Sequence, residues 1–321
     1  MANPASPNTT YIGVDLSGRS LRAVLVNADG SVAERRQATL KRSKITDQVT
    51  AIVAELRKFS PDVEAVGVGI PGLVNRETDR VLVSSDLPSM VSGDVHAQWK
   101  QSTGLRVELE NDANAAAYGE FKAGVGGNHR DMFYITIGDG IGGALLVDGK
   151  LWIGASGCAG EIGHITIDTE GIECGCGNRG CLETVASAPN IVRRAKERLN
   201  RDSTSSLSRL AMNEAFTADD MAREATNGDD FSLMMIERTG KYIGTAVASV
   251  INLLSVELIV LGGGVMDAGE LILKPIIDEA RRRAFQPCFD ATKIVAGTLG
   301  ADAGAIGAAL LARDAGQNGS K

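Results

Sequence analysis

A chain of 321 residues is longer than one hydrophobic core usually serves, so two domains are expected, each able to bury a sizeable core. Hydrophobic residues make up 44% and charged residues 23%, the formal charge is -7, and no run of Lys and Arg stands clear of balancing acids, which argues against a nucleic-acid-binding surface. The 38 glycines exceed average usage and foretell tight turns and close backbone approaches.

The opening segment, Met1 to Thr10, has neither a basic start nor an apolar stretch, so no signal peptide is expected and the chain is read as cytoplasmic. Tyr11 to Val26 reads as a hairpin that turns at Asp15-Leu-Ser-Gly18. Thr46 to Lys58 has helical spacing, Val63 to Ile70 reads as a strand ending at Pro71-Gly72, and a helix at His96 to Ser102 and a strand at Leu105 to Leu109 complete a β-β-α-β set. A second hairpin follows, Met132 to Ile137 and Gly143 to Val147, around Gly138-Asp-Gly-Ile-Gly-Gly143. The longest linker is the polar stretch Asn200 to Ser206. A helix from Asp230 to Leu254 leads to a strand at Glu257 to Leu261. Tyr242 to Val265 is the most apolar long window, yet Glu257 and Gly262 to Gly264 within it favour a buried helix and strand over a membrane span. Arg281, Arg282 and Arg283 read as a solvated last helical turn, and Ala301 to Ala312, with Gly304 and Gly307 among alanines, as a helix packed closely on a neighbour. Two hairpin-plus-crossover units suggest two α/β lobes facing each other, with ligands between them.

Three of the five cysteines fall within Cys174-Gly-Cys176-Gly-Asn-Arg-Gly-Cys181, and His164 lies ten residues earlier. Four N and S ligands on a glycine-rich loop suit tetrahedral zinc, and a full set of protein ligands points to a structural ion. Cys158 and Cys288 have no partner in sequence and are expected to be small core residues.

Asn111-Asp112 lies just after a strand, where α/β folds place ligand contacts. Glu161 and His164 are three apart, and Glu183 follows the last zinc cysteine by two. With Gly69-Ile-Pro-Gly72, Glu110 to Ala117, Ala159 to His164, Cys174 to Glu183 and Ile259 to Val265, the chain resembles the ROK (repressor, open reading frame, kinase) family over about residues 11–312. The resemblance implies an α/β, two-lobed actin-like/hexokinase-like ATPase fold with duplicated ribonuclease H-like lobes and a zinc-binding loop. It places an N-terminal lobe at 1–115, completed by a C-terminal helix at 301–321, and a C-terminal lobe at 116–300 that carries the zinc loop and the nucleotide-binding glycine turns. It further implies an ATP-dependent, glucokinase-like hexose kinase with Asp112 as general base and with Asn111, Glu161, His164, Glu183 and Gly72 at the sugar. Asp15, Ser17, Gly18 and Arg19, Gly138, Asp139, Gly140 and Gly142, and Gly262, Gly263 and Gly264 would meet the nucleotide and its Mg²⁺. His164, Cys174, Cys176 and Cys181 would hold structural Zn²⁺. The expected partners are a hexose and a nucleotide, without nucleic acid or membrane, in a homodimer or homotetramer.

Family kinases usually carry Asp-x-Gly-Gly-Thr in the first turn and Gly-Thr-Gly-x-Gly-Gly in the second, where glycine amides and a threonine hydroxyl donate to phosphate oxygens. Here the turns read Asp15-Leu-Ser17-Gly18-Arg19 and Gly138-Asp139-Gly140-Ile-Gly142-Gly143. A carboxylate at Asp139 is an unfavourable neighbour for a polyphosphate unless a cation compensates, and Arg19 could supply one. Two accounts follow: a working kinase with altered nucleotide preference, or a sugar-binding sensor derived from the family's repressors. About ten residues precede the first strand, too few for a helix-turn-helix module. Among hexoses, glucose is the first expectation.

Overall fold

Buried parallel strands read as continuous apolar runs, and β1 (Thr10–Leu16) is such a strand, buried everywhere except at Asp15. The computed structural model describes residues 9–199, 204–213 and 216–318. The opening segment through Asn8 and positions 200–203 of the polar linker lie outside the described residues. After β1 come β2 (Ser20–Asn27), β3 (Val32–Thr39), α1 (Ile45–Leu56), β4 (Ala65–Ile70), the short pair β5 (Leu73–Asn75) and β6 (Arg80–Val83), α2 (Val95–Thr103), β7 (Arg106–Asn111) and α3 (Asp112–Ala123). The sheet order is β3-β2-β1-β4-β7, antiparallel through β3, β2 and β1 and parallel through β1, β4 and β7.

The sequence reading missed β3. Its residues, Val-Ala-Glu-Arg-Arg-Gln-Ala-Thr, alternate between half-buried and exposed, because β3 is an edge strand with charge on its outer face. The first set is therefore β-β-β-α-β.

The plan then recurs. β8 (Met132–Ile137), β9 (Ile141–Val147) and β10 (Lys150–Leu151) are followed by α4 (Glu183–Ala186), α5 (Ala188–Leu199), α6 (Ser206–Asn213), α7 (Ala218–Thr226), α8 (Asp230–Leu254), β11 (Leu258–Gly262), α9 (Glu270–Arg283), α10 (Gln286–Ala291), β12 (Lys293–Ala296) and α11 (Ala303–Asn318). The second sheet has the order β10-β9-β8-β11-β12, with β8, β11 and β12 parallel. Two copies of one hairpin-plus-parallel-strand plan are the duplicated ribonuclease H-like units of the actin-like and hexokinase-like folds. The chain divides into one compact unit made of Met1–Asn128, Ala144–Ala159 and Thr298–Lys321, and another made of His129–Gly143 and Gly160–Gly297.

Arg281, Arg282 and Arg283 form the exposed last turn of α9, as read, although Arg282 and Arg283 also pair with the buried Glu279. Cys158 is exposed and Cys288 only half-buried, which corrects their reading as core residues; Cys158 lies on a connection and Cys288 on the short surface helix α10, which buries none of its residues. Among the described residues, no helix is long and apolar enough to cross a membrane.

The first unit is held by α11, which lies on β1, β4 and α3. Its contact needs glycine. A Cβ at Gly307 would stand 2.6 Å from the Ala115 carbonyl carbon and 2.7 Å from Gly119 N, and one at Gly119 would stand 2.5 Å from Ala303 O. One at Gly13 would stand 2.7 Å from Ala309 N. Backbone therefore meets backbone along the first half of the helix, as the alanine and glycine content of 301–312 led us to expect. Gly307→Ala is expected to destabilise the protein by about 2 kcal/mol or more in denaturant titration, whereas Gly127→Ala, where nothing lies within 4 Å, should stay within about 0.5 kcal/mol. Equal costs at the two positions would contradict this account of the packing.

Candidate functional site

In the first unit the chemistry gathers where β1, β4 and β7 end. Asn111 is the N-cap of α3: its Oδ1 accepts from Asn114 N at 2.9 Å, while its Nδ2 donates to Gly72 O at 2.9 Å and to Asp112 Oδ1 at 3.0 Å. Ala113 N also donates to Asp112 Oδ1, at 2.9 Å. The Asp112 carboxylate is thus oriented by two donors at the positive end of α3. Gly72, at φ +129, occupies a backbone region that other residues rarely adopt, and a Cβ there would stand 2.9 Å from Ser84 Cα. Ser84 is itself buried and donates to Pro71 O at 2.6 Å.

Asp15 sits beside this group. Burial, and secondarily the neighbouring Asp112 charge, push its carboxyl well above the ordinary value of 3.8, with Arg22 acting in the opposite sense. Space for the carboxylate comes from glycines: a Cβ at Gly304 would stand 2.6 Å from Asp15 Cγ, and one at Gly69 would stand 3.3 Å from Asp15 Oδ1. Neighbouring carboxylates repel each other, and this oxygen-donor pair fits a hard divalent cation such as Mg²⁺. The first turn closes on Ser17, whose Oγ accepts from Ser20 N at 3.0 Å and whose N donates to Ser20 O at 2.9 Å. Gly18 follows near Asp86, and Arg19 is exposed at the tip. Arg76, itself exposed, forms a salt bridge to the buried Glu110 at the end of β7; sequence reading missed Arg76 because nothing in its neighbourhood marks it as a partner for a residue 34 positions on.

In the second unit a single-turn 3-10 helix, Ile162–His164, sets Glu161 and His164 side by side, with Glu161 Oε2 3.9 Å from His164 Nε2. The other ring nitrogen, Nδ1, faces the cysteines, 3.7 Å from Cys174 Sγ. Cys176 and Cys181 Sγ are 3.8 Å apart, and the ligand atoms of His164, Cys174, Cys176 and Cys181 all lie within 4.8 Å of one another. Tetrahedral zinc with bonds of about 2.3 Å to sulfur requires ligand separations of about 3.7 Å, so the four residues fit zinc. Gly177 and Gly180 take positive φ to close the loop; Gly175 does not. Burial pushes the Cys181 thiol up to about 12, so a cation is needed to hold it as thiolate. Burial also raises Glu161, with His164 lowering and Glu183 raising it, which places the three side chains in one electrostatic group.

Glu183 opens α4 and reaches the second glycine turn, where its Oε2 accepts from Ile141 N at 2.9 Å. A Cβ at Gly140 would stand 2.9 Å from that same oxygen, so a larger residue there would displace the Glu183 side chain. The turn is closed by Gly138 N donating to Gly140 O at 2.9 Å, and Asp139 is exposed on it. Gly263, at φ +86, lies against β8, where a Cβ would stand 2.5 Å from Ile137 N; Gly262 lies against the Tyr134 ring. Gly264, in contrast, has open space and lines a cavity of ≈ 290 Å³ with Val265, Met221, Ile236, Thr239 and Asp267. Of these wall residues only Gly264 was marked in sequence as a site residue: Met221 comes from α7 and Ile236 and Thr239 from α8, at helical spacings that look like ordinary core, while Val265 and Asp267 follow Gly264 in a 3-10 turn.

The sequence profile of the ROK family matches residues 11–315. The chain belongs to the ROK family. It is 33% identical over 313 residues to the glucokinase of Halalkalibacterium halodurans, covering 94% of each chain, and 34% identical over 312 residues to that of Thermotoga maritima, covering 96% of this chain and 98% of the relative. The crystal structure of a ROK family glucokinase from Streptomyces griseus in complex with glucose and AMPPNP superposes with a TM-score of 0.85 at 34% identity, over 95% of this chain and 99% of that one. The fold of this ROK chain is accordingly actin-like and hexokinase-like.

The raised Asp15 carboxyl yields a signed prediction for the ROK chain. The unfolded chain ionises this group near 3.8, whereas the folded chain resists doing so; stability due to the protonated form is therefore lost as pH rises above 3.8. Asp15→Asn is expected to melt a few degrees higher than wild type at pH 8, with the gap closing near pH 4. A variant that melts lower than wild type at pH 8 would contradict the charge repulsion described.

Proposed function

We propose that the chain transfers the γ-phosphoryl group of ATP to the primary hydroxyl of a hexose, glucose first among the candidates, with Asp112 as general base. The chain is a sugar kinase. The observation that carries the assignment of the base is the Asp112 carboxylate itself, placed at the end of β7 on the first turn of α3 and oriented by Ala113 N and Asn111 Nδ2. Asp112 accepts the hydroxyl proton as the sugar oxygen bonds to the γ-phosphorus; the bond to the β,γ-bridging oxygen breaks, and ADP leaves with that electron pair. Mg²⁺, when bound, neutralises phosphate charge, and Asp15 is the residue to hold it.

Glu161, His164 and Glu183 hold sugar hydroxyls. A site built from such acceptors and donors strongly disfavours analogues lacking the hydroxyl. His164 serves twice: its Nδ1, which faces Cys174, would hold zinc, leaving Nε2 for the sugar with the ring's tautomer and orientation fixed. On the nucleotide side, the cavity at Gly264 offers Val265, Met221 and Ile236 for a base, and Asp267 for ribose hydroxyls. The glucose and AMPPNP bound by the S. griseus enzyme are the ligand classes this reading requires.

In a coupled ADP-release assay across hexoses, turnover is expected with glucose or a close relative. Asp112→Asn should lower kcat by roughly 100- to 10,000-fold while a sugar-dependent rise in melting temperature is kept. Melting that rises with sugar in a wild-type protein without any turnover would identify a sugar-binding regulatory protein instead.

Metal analysis is expected to find one zinc per chain. Stripping it with a chelator should lower the melting temperature and weaken glucose binding by about 10- to 100-fold, with recovery on adding zinc back. Undiminished glucose affinity in the metal-free protein would separate His164 from the sugar.

A further inference from the structure

Glu183 stands on a helix of only four residues, α4, too short to satisfy its own backbone. Three successive carbonyls of α4 accept from three side chains of α5, although the first, Glu183 O, also accepts from Ser187 N at 3.2 Å. Glu183 O accepts from Asn190 Nδ2 at 3.0 Å, Thr184 O from Arg193 Nη2 at 2.9 Å, and Val185 O from Arg194 Nη1 at 2.6 Å. The donors are themselves fixed. Arg193 Nε donates to Asn190 Oδ1 at 3.1 Å, Asn190 Nδ2 also donates to Ser187 Oγ at 2.9 Å, and the Arg194 guanidinium lies 4.8 Å from the centre of the Tyr242 ring while Nη1 donates to Thr239 Oγ1 at 3.2 Å.

Arg194 is 4% exposed, and its partners are a carbonyl, a hydroxyl and an aromatic face. Burying a cation against neutral groups is costly, and an apolar side chain of similar volume would fill the same space. Stability alone does not account for it there. The backbone supplies a second link, since Ala188 N at the start of α5 donates to Gly138 O at 2.8 Å, while Glu183 Oε2 holds Ile141 N at 2.9 Å. The turn from Gly138 to Ile141 is therefore gripped at both ends by the α4–α5 pair.

We infer that Asn190, Arg193 and Arg194 are positioning residues that lock Glu183 against Ile141 N, so that the sugar-binding carboxylate and the second glycine turn are held as one piece. The inference rests on the proposed role of Glu183 at the sugar and adds a mechanical consequence: loosening the clamp weakens sugar and nucleotide together. A role confined to stability would lower the melting temperature and leave the ligand affinities of the folded protein alone.

The test uses the full chain with its zinc. Asn190→Ala and Arg193→Met are expected to raise the Kd for glucose and for a non-hydrolysable ATP analogue, each about ten-fold by calorimetry, with zinc content unchanged. Arg194→Lys should retain more affinity than Arg194→Met. In a Glu183→Gln background, Asn190→Ala should add nothing further to the glucose Kd. Without any ligand, hydrogen–deuterium exchange over 138–143 should rise in Asn190→Ala and Arg193→Met. Unchanged exchange there, or a full additive effect on Glu183→Gln, overturns the inference. A wild-type protein that binds no hexose, with exchange raised in the variants, sinks the sugar reading and leaves the clamp standing.

Discussion

Backbone in direct contact with backbone, possible only where a Cβ is missing, is the constraint on which both units depend. In the first, Gly13, Gly119 and Gly307 let α11 reach β1 and α3, and Gly304 and Gly69 leave the space that the Asp15 carboxylate fills. In the second, Gly240 and Gly244 bring α8 against α9, where a Cβ would meet Pro275 Cβ at 2.7 Å and Ile276 O at 2.5 Å. Gly263 lies on β8, and Gly143 lies on Gly160, whose carbonyl oxygen a Cβ would approach to 2.6 Å. Close-packed interiors yield little to an added methyl group, so these positions fix the spacing of the elements that carry the polar side chains.

On that frame the two units orient their functional groups by different means. Asp112 and Asn111 are held by a helix N-cap, with hydrogen bonds supplied by neighbours in sequence. Glu161 and His164 depend on a one-turn helix and on a loop that a metal can cross-link, while Glu183 depends on side chains seven to eleven residues further on that cap the carbonyls behind it. The first arrangement is local and rigid by itself. The second needs outside support: α5 holds the carbonyls behind Glu183, and the cluster of His164, Cys174, Cys176 and Cys181 is one that a metal ion could tie together.

The second glycine turn keeps the glycines of the family pattern and carries Asp139 in place of threonine, whereas the first has Ser17 in place of a glycine and Arg19 in place of threonine. Ser17 spends its hydroxyl within its own turn, and the donors the second turn can offer are backbone amides, one of which, Ile141 N, is already engaged by Glu183. Backbone donors are indifferent to the Thr-to-Asp change at position 139, whereas the added carboxylate is not indifferent to phosphate. The balance of charge at Arg19 and Asp139 is thus where this chain differs in chemistry from the pattern it otherwise follows.

The sequence alone determined the elements whose apolar spacing is strong: α8 was read at its observed bounds, both central hairpins were placed within a few residues, and the cluster of His164, Cys174, Cys176 and Cys181 was legible because thiols and glycines at short spacing have few other uses. Motif resemblance carried Asp112, Glu161, His164 and Glu183. Only the tertiary structure decided the rest. β3 was hidden because an edge strand has one polar face, and Cys158 and Cys288 proved to be on or near the surface. The Asp15–Asp112 repulsion, the cavity beside Gly264 and the α5 grip on α4 all arise between residues far apart in sequence or on different elements, where no periodicity in the chain records which polar groups will share a low-dielectric neighbourhood.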